Sequence, residues 1–214
     1  MRVLLSARIS LTLTAVTLLV LVALPASAQA SFGLRGGLNT AFFAGDDADG
    51  TDPRLGGVGG AFVRFDATPS VALQIEALYS QEGAKDAIVG QEGTYKLDYL
   101  DIPVLIRLGV PLSRLADAGV YAGPSIGIPL RSEFDFEGGG TINESTKTDL
   151  GVTVGLDYWA GPVGVDLRYT AGLTDAFDDE IDGEFVEPLD IRNQAFTVTL
   201  GYRFGGGARR YSRY

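Results

Sequence analysis

Residues 195–204 read Ala195-Phe196-Thr197-Val198-Thr199-Leu200-Gly201-Tyr202-Arg203-Phe204. Phe196, Val198, Leu200, Tyr202 and Phe204 fall on one side of an extended chain. Ala195, Thr197, Thr199, Gly201 and Arg203 fall on the other. One face is wholly apolar and the other small or polar, and a period of two marks a β-strand between two different surroundings.

The contrast recurs upstream, and eight strands are expected. The first, residues 32–43, sets Phe32, Leu34 and Leu38 against Arg35 and Asn39. The second, 58–66, sets Ala61, Val63 and Phe65 against Gly60, Phe62 and Arg64. The third, 70–81, opposes Val71, Leu73, Ile75, Ala77 and Tyr79 to Gln74, Glu76 and Ser80. In the fourth, 95–109, Leu100, Ile102, Val104, Ile106 and Leu108 face away from Asp101 and Arg107. The fifth, 119–131, is interrupted by Pro124 and Pro129, residues that mark an edge or a bulge. The sixth, 148–159, carries Leu150, Val152, Val154, Leu156 and Tyr158 opposite Thr153 and Asp157. The seventh, 163–174, carries Val163, Val165, Leu167, Tyr169 and Leu173 opposite Asp166, Arg168 and Thr170.

Connections alternate in length: 44–57, 82–94, 132–147 and 175–190 are long, 67–69 and 160–162 short, and 110–118 intermediate. Short turns on one side of a membrane and longer loops on the other characterise outer-membrane barrels. The long connections carry acids, Asp46, Asp47, Asp49 and Asp52 in the first and eight between Asp175 and Asp190 in the last. Solvated loops account for them, because no cation-ligand spacing is specified.

Arg2 and Arg8, the apolar run from Ile9 to Leu24, Pro25 and the triplet Ala26-Ser27-Ala28 fit a secretory signal cut after Ala28. The expected organisation is therefore a signal peptide over 1–28, a barrel over 29–204 and a flexible tail over 205–214. Net charge is −10, or −12 once Arg2 and Arg8 leave with the signal, which disfavours nucleic acid as a partner. The chain has no Cys and no His. It therefore has no disulfide, and it lacks the commonest general base and metal ligand. No catalytic, metal or cofactor site is expected.

The minority face decides which way the wall points. It carries Gly, Ser and Thr with Arg35, Arg64, Glu76, Asp101, Arg107, Asp157, Asp166, Arg168 and Arg203. A solvated exterior favours Lys and Glu, yet the only lysines are Lys85, Lys96 and Lys147. Arginine suits forked, buried pairing with carboxylates. The fold class expected is an all-β, eight-stranded, antiparallel up-and-down transmembrane barrel. Eight strands leave an interior just wide enough for side chains to fill. Those nine residues are thus expected as an interior charge cluster that plugs the lumen. Tyr79, Tyr158, Trp159, Tyr169, Tyr202 and Phe204 are expected at the lipid face or its interfaces.

Several segments resemble the PorT-type outer-membrane β-barrel family: Gly33-Leu34-Arg35-Gly36-Gly37-Leu38-Asn39, the stretches from Ala77 to Lys85 and Leu97 to Leu105, Ala122-Gly123-Pro124, and Tyr169 to Thr174 with the last strand. The resemblance implies an eight-stranded barrel, with some members tied to a secretion and gliding apparatus. Tyr202-Arg203-Phe204 resembles the aromatic signal read by the barrel-insertion machinery, although here a tail with Arg209, Arg210 and Arg213 follows it. The function expected is a non-enzymatic outer-membrane protein with a structural or interaction role. Its expected contacts are outer-membrane lipids, the insertion machinery and an unidentified protein. The alternatives are a small diffusion pore and a soluble lipocalin-like binding barrel.

Overall fold

A computed structural model describes residues 29–44, 52–85, 93–136, 141–143, 148–174, 180–181, 184–185 and 192–204. Eight long strands build the wall: β1 (Gln29–Ala44), β2 (Asp52–Asp66), β3 (Val71–Glu82), β4 (Gly93–Pro111), β5 (Ala116–Phe136), β6 (Asp149–Ala160), β7 (Val163–Gly172) and β8 (Arg192–Phe204). Each pairs antiparallel with its sequence neighbour. β1 also pairs with β8, from Phe32↔Phe204 to Ala44↔Arg192, which closes the sheet and removes its edges.

Turns 67–70, 112–115 and 161–162 are short and lie at the end that holds Gln29 and Phe204. The connection expected to be intermediate, 110–118, shrinks to four residues because β4 and β5 run further than the alternation suggested. The longer connections gather at the opposite end. The acids from Asp46 to Asp49 lie outside the described residues, as do most of those in the last loop, the leader and the tail.

Alternation places apolar side chains outward. Ile106, Leu156 and Val198 are 54%, 53% and 51% exposed, whereas Arg64, Arg107, Asp157 and Thr199 are buried. A soluble lipocalin-like barrel requires the reverse, so that alternative is overturned. The outward rings include Tyr79, Tyr158, Tyr202 and Phe204, and Phe32 stacks on Phe204 at 5.4 Å near the short-turn end. Trp159 departs from the expectation: it is 1% exposed, inside the barrel. Its parity explains this, since it lies two residues beyond the inward Asp157.

Two further differences have local causes. β2 begins at Asp52, six residues before the expected start, because its glycines belong to the sheet. A Cβ at Gly56 or Gly60 would fall 1.9 or 2.0 Å from the backbone oxygens of Gln81 or Ala77. β5 runs continuously through both prolines, and the ladder adapts around them. Register slips where Tyr99 faces Pro129 and Asp98 faces Arg131, a bulge at the residue that has no N–H to give.

Candidate functional site

Among the described residues the wall encloses a polar lumen, and it is layered. Nearest the short turns, the indole of Trp159 packs edge-on against Phe62, with centroids 5.7 Å apart. Gly164 and Gly201 make room for it: a Cβ on either would lie 2.5 or 2.9 Å from the ring. The Arg64 and Arg203 guanidiniums sit 5.2 and 4.9 Å from the ring centroid, a cation–π arrangement.

Above this layer runs a connected set of charges. Arg107 bonds to Asp157 at 2.5 Å through Nη2 and to Asp117 at 2.5 Å. Arg64 reaches across the barrel from β2 to Asp157 on β6 at 3.1 Å and donates through Nε to Gln74 at 2.7 Å. Gln74 donates in turn to Glu76 at 2.5 Å. Arg168 spans from β7 to Glu76 on β3 at 2.9 Å, and also pairs with Asp166 at 2.8 Å. Arg35 lies 3.1 Å from Asp166 and 3.5 Å from Glu76, and the Tyr121 hydroxyl donates to Asp166 at 2.6 Å.

Asp157, Glu76 and Asp166 thus each serve more than one donor, and their side chains are almost wholly buried. Charges removed from water are tolerable only when paired and hydrogen-bonded in this way. Chemically the arrangement pairs its own charges across the lumen.

Two of the nine predicted residues stand apart from this set. Arg203 meets the Trp159 ring and the Gly161 carbonyl at 3.5 Å, with no carboxylate partner among the described residues. Asp101 lies nearer the long-loop end, beside Glu82 and Asp149, and no arginine among the described residues forms an ion pair with it. Sequence reasoning missed Asp117, Gln74, Tyr121 and Trp159 as lumenal partners. Strand parity held the signal for Gln74 and Trp159, which share the inward faces of Glu76 and Asp157, whereas Asp117 and Tyr121 lie on β5, which carries none of the nine.

The long-loop end is closed differently. Phe43, Ala84, Leu97 and Tyr99 form an apolar cluster with Tyr95, whose ring is 4.5 Å from that of Phe134. Between this roof and the charged layer lie two small neighbouring cavities, each with about 20 Å³ for a water-sized occupant.

No curated protein matches the chain in sequence. Among solved structures, the chain is similar to Neisserial surface protein A at 16% identity and TM-score 0.50, covering 82% of this chain and 99% of that one. It is also similar to Ail, the attachment invasion locus protein of Yersinia pestis, in complex with the heparin analogue sucrose octasulfate, at 14% identity and TM-score 0.47, covering 82% and 99%. The outer membrane protein OprG from Pseudomonas aeruginosa matches at 11% identity and TM-score 0.44, covering 84% and 98%. These likenesses concern the fold. The family model for the outer membrane protein beta-barrel domain matches residues 14–204, most of the sequence, and so the chain belongs to the outer-membrane protein β-barrel family.

Proposed function

We propose that this protein is a non-enzymatic outer-membrane barrel with a structural or interaction role, acting through its outer surface while its lumen stays sealed. The carrying observation is the charge network, in which Arg64 and Arg168 bridge opposite walls to Asp157 and Glu76. A solute would have to break several buried pairs at once, each costly to open on one side only. With no His in the chain, a serine nucleophile would lack its usual base. The narrower PorT-type kinship belongs to this reading and rests on the segments around Tyr79 and Tyr99. So do export by a signal cut after Ala28 and contact with lipids, the insertion machinery and a protein partner.

The second reading, a small diffusion pore, draws on the two cavities beneath the roof. They end at Arg168 and the layer below it. Swelling of proteoliposomes in small sugars and amino acids separates the two readings. The sealed barrel predicts rates equal to those of empty vesicles, and solute-dependent swelling would favour the pore.

A further inference from the structure

We propose that the short-turn mouth of the lumen binds a small monovalent inorganic anion of chloride's class, held by Arg64, Arg203, Trp159 and Ser31. These four residues share one layer. Ser31 on β1 is the register partner of Arg64 on β2, and Gly33, two residues further along β1, is the partner of Arg203 on β8. The guanidiniums of Arg64 and Arg203 lie 5.2 and 4.9 Å from the centroid of the Trp159 ring. One ring thus gathers two positive groups at the end of the barrel.

Their charge is not balanced from within. The charges that act most strongly on Arg64 are those of Arg107, Asp157, Arg203 and Asp117. With Arg64 itself that makes three guanidiniums and two carboxylates, and both carboxylates already accept from Arg107. The chain segments that adjoin this end, residues 1–28 and 205–214, contain no Asp or Glu, and the second adds Arg209, Arg210 and Arg213. Like charges in a poorly screened interior repel strongly, and an anion between them is attracted by each.

A second observation points to a ligand. Arg64 Nη1, Trp159 Nε1 and Ser31 Oγ have no hydrogen-bond partner among the described residues, although these residues are only 0%, 1% and 5% exposed. Arg64 commits its other nitrogens to Gln74 and Asp157. Guanidinium and indole N–H groups only donate, so whatever satisfies them must accept. Buried polar groups are ordinarily paired. A halide accepts from every side and carries the missing negative charge, so it meets both needs. Arg203 is half-buried and lightly held, by the ring and by a 3.5 Å bond to the Gly161 carbonyl, so it can turn aside to admit the ion. Asp66 stands two residues nearer the rim on the same face as Arg64, where it would repel an acidic segment of chain and leave access to a small ion.

The test uses the full chain refolded in detergent and reads the fluorescence of Trp159, its single tryptophan, with iodide as the probe. Gluconate holds the ionic strength constant, and heat-modifiable migration on gels verifies that each variant is folded. Quenching by iodide is expected to saturate and to be relieved by chloride, whereas neutral acrylamide quenches without saturation. Arg203→Gln should weaken the apparent affinity for iodide at least about tenfold, because a charged donor is lost. Ser31→Ala should weaken it about threefold, and it serves alone if Arg203→Gln does not fold. Saturable quenching with undiminished affinity in every folded variant would place the ion elsewhere and overturn the proposal. Folded protein whose iodide quenching stays linear would do the same, leaving water as the acceptor.

Discussion

Arg168 on β7 donates to both oxygens of Glu76 on β3, at 2.9 and 3.3 Å, across the full width of the barrel. Three strands lie between β3 and β7 in either direction around the closed sheet, so this pair is a strut between opposite walls. Arg35 lies 3.5 Å from the same carboxylate. Glu76→Ala leaves the two guanidiniums with Asp166 as their one shared carboxylate. It should destabilise the barrel by about 3–5 kcal/mol, as breaking buried pairs does. Urea unfolding from lipid vesicles measures this, and a change under about 1 kcal/mol would mean that the pairs do not bear on stability.

Trp159 is the chain's single tryptophan, so its fluorescence reports one place. Its position inside the wall predicts weak quenching by brominated lipids. Moving the indole one residue, in Tyr158→Trp with Trp159→Phe, should give strong quenching, because Tyr158 faces outward. Equal quenching of the two proteins would place Trp159 in the lipid belt.

Gly164 is needed for space. A Cβ at this position would approach Trp159 Cδ2 to 2.5 Å, and neither the sheet backbone nor the trapped ring can yield cheaply. Gly164→Val should cut the folded fraction recovered on refolding severely, by the overpacking cost of about 1–3 kcal/mol or more. Trp159→Ala in the same chain should restore part of that fraction. Normal refolding of Gly164→Val alone would show that the ring is loosely held.

The outer face should resist charge according to depth. Leu156 lies between Val120 and Leu167 in the ladder and is 53% exposed. Leu156→Arg should cost about 2–4 kcal/mol in lipid if the residue sits near the bilayer midplane. The same substitution at Leu115, in a short turn, should cost about 0–1 kcal/mol, as near an interface. Equal costs would argue against a hydrocarbon environment around Leu156.

Strand number, wall orientation and the inward face were legible in the sequence because a period of two records both environments of a strand at once. Ends were less legible. The glycines of β2 look like a loop until the neighbouring backbone is seen 1.9–2.0 Å from where a Cβ would be. Pairing was not legible either. Parity puts Asp101 and Asp157 on the same inward face, yet only register shows that Asp157 meets Arg107 and Arg64 while Asp101 faces Asp149 across Gly127. Trp159 was assigned by residue type, as an interfacial aromatic, when its parity already placed it inside.

The inverted wall is tested most directly by spin labels at outward positions. The chain has no Cys, so Val198→Cys and Ile106→Cys each give one labelled site. Collision rates are then compared for oxygen, which concentrates in hydrocarbon, and for a water-soluble nickel chelate. Mobile labels with frequent oxygen collisions and few chelate collisions are the predicted result at both sites. Immobilised labels shielded from oxygen would put Val198 and Ile106 at the centre of the barrel and contradict the account.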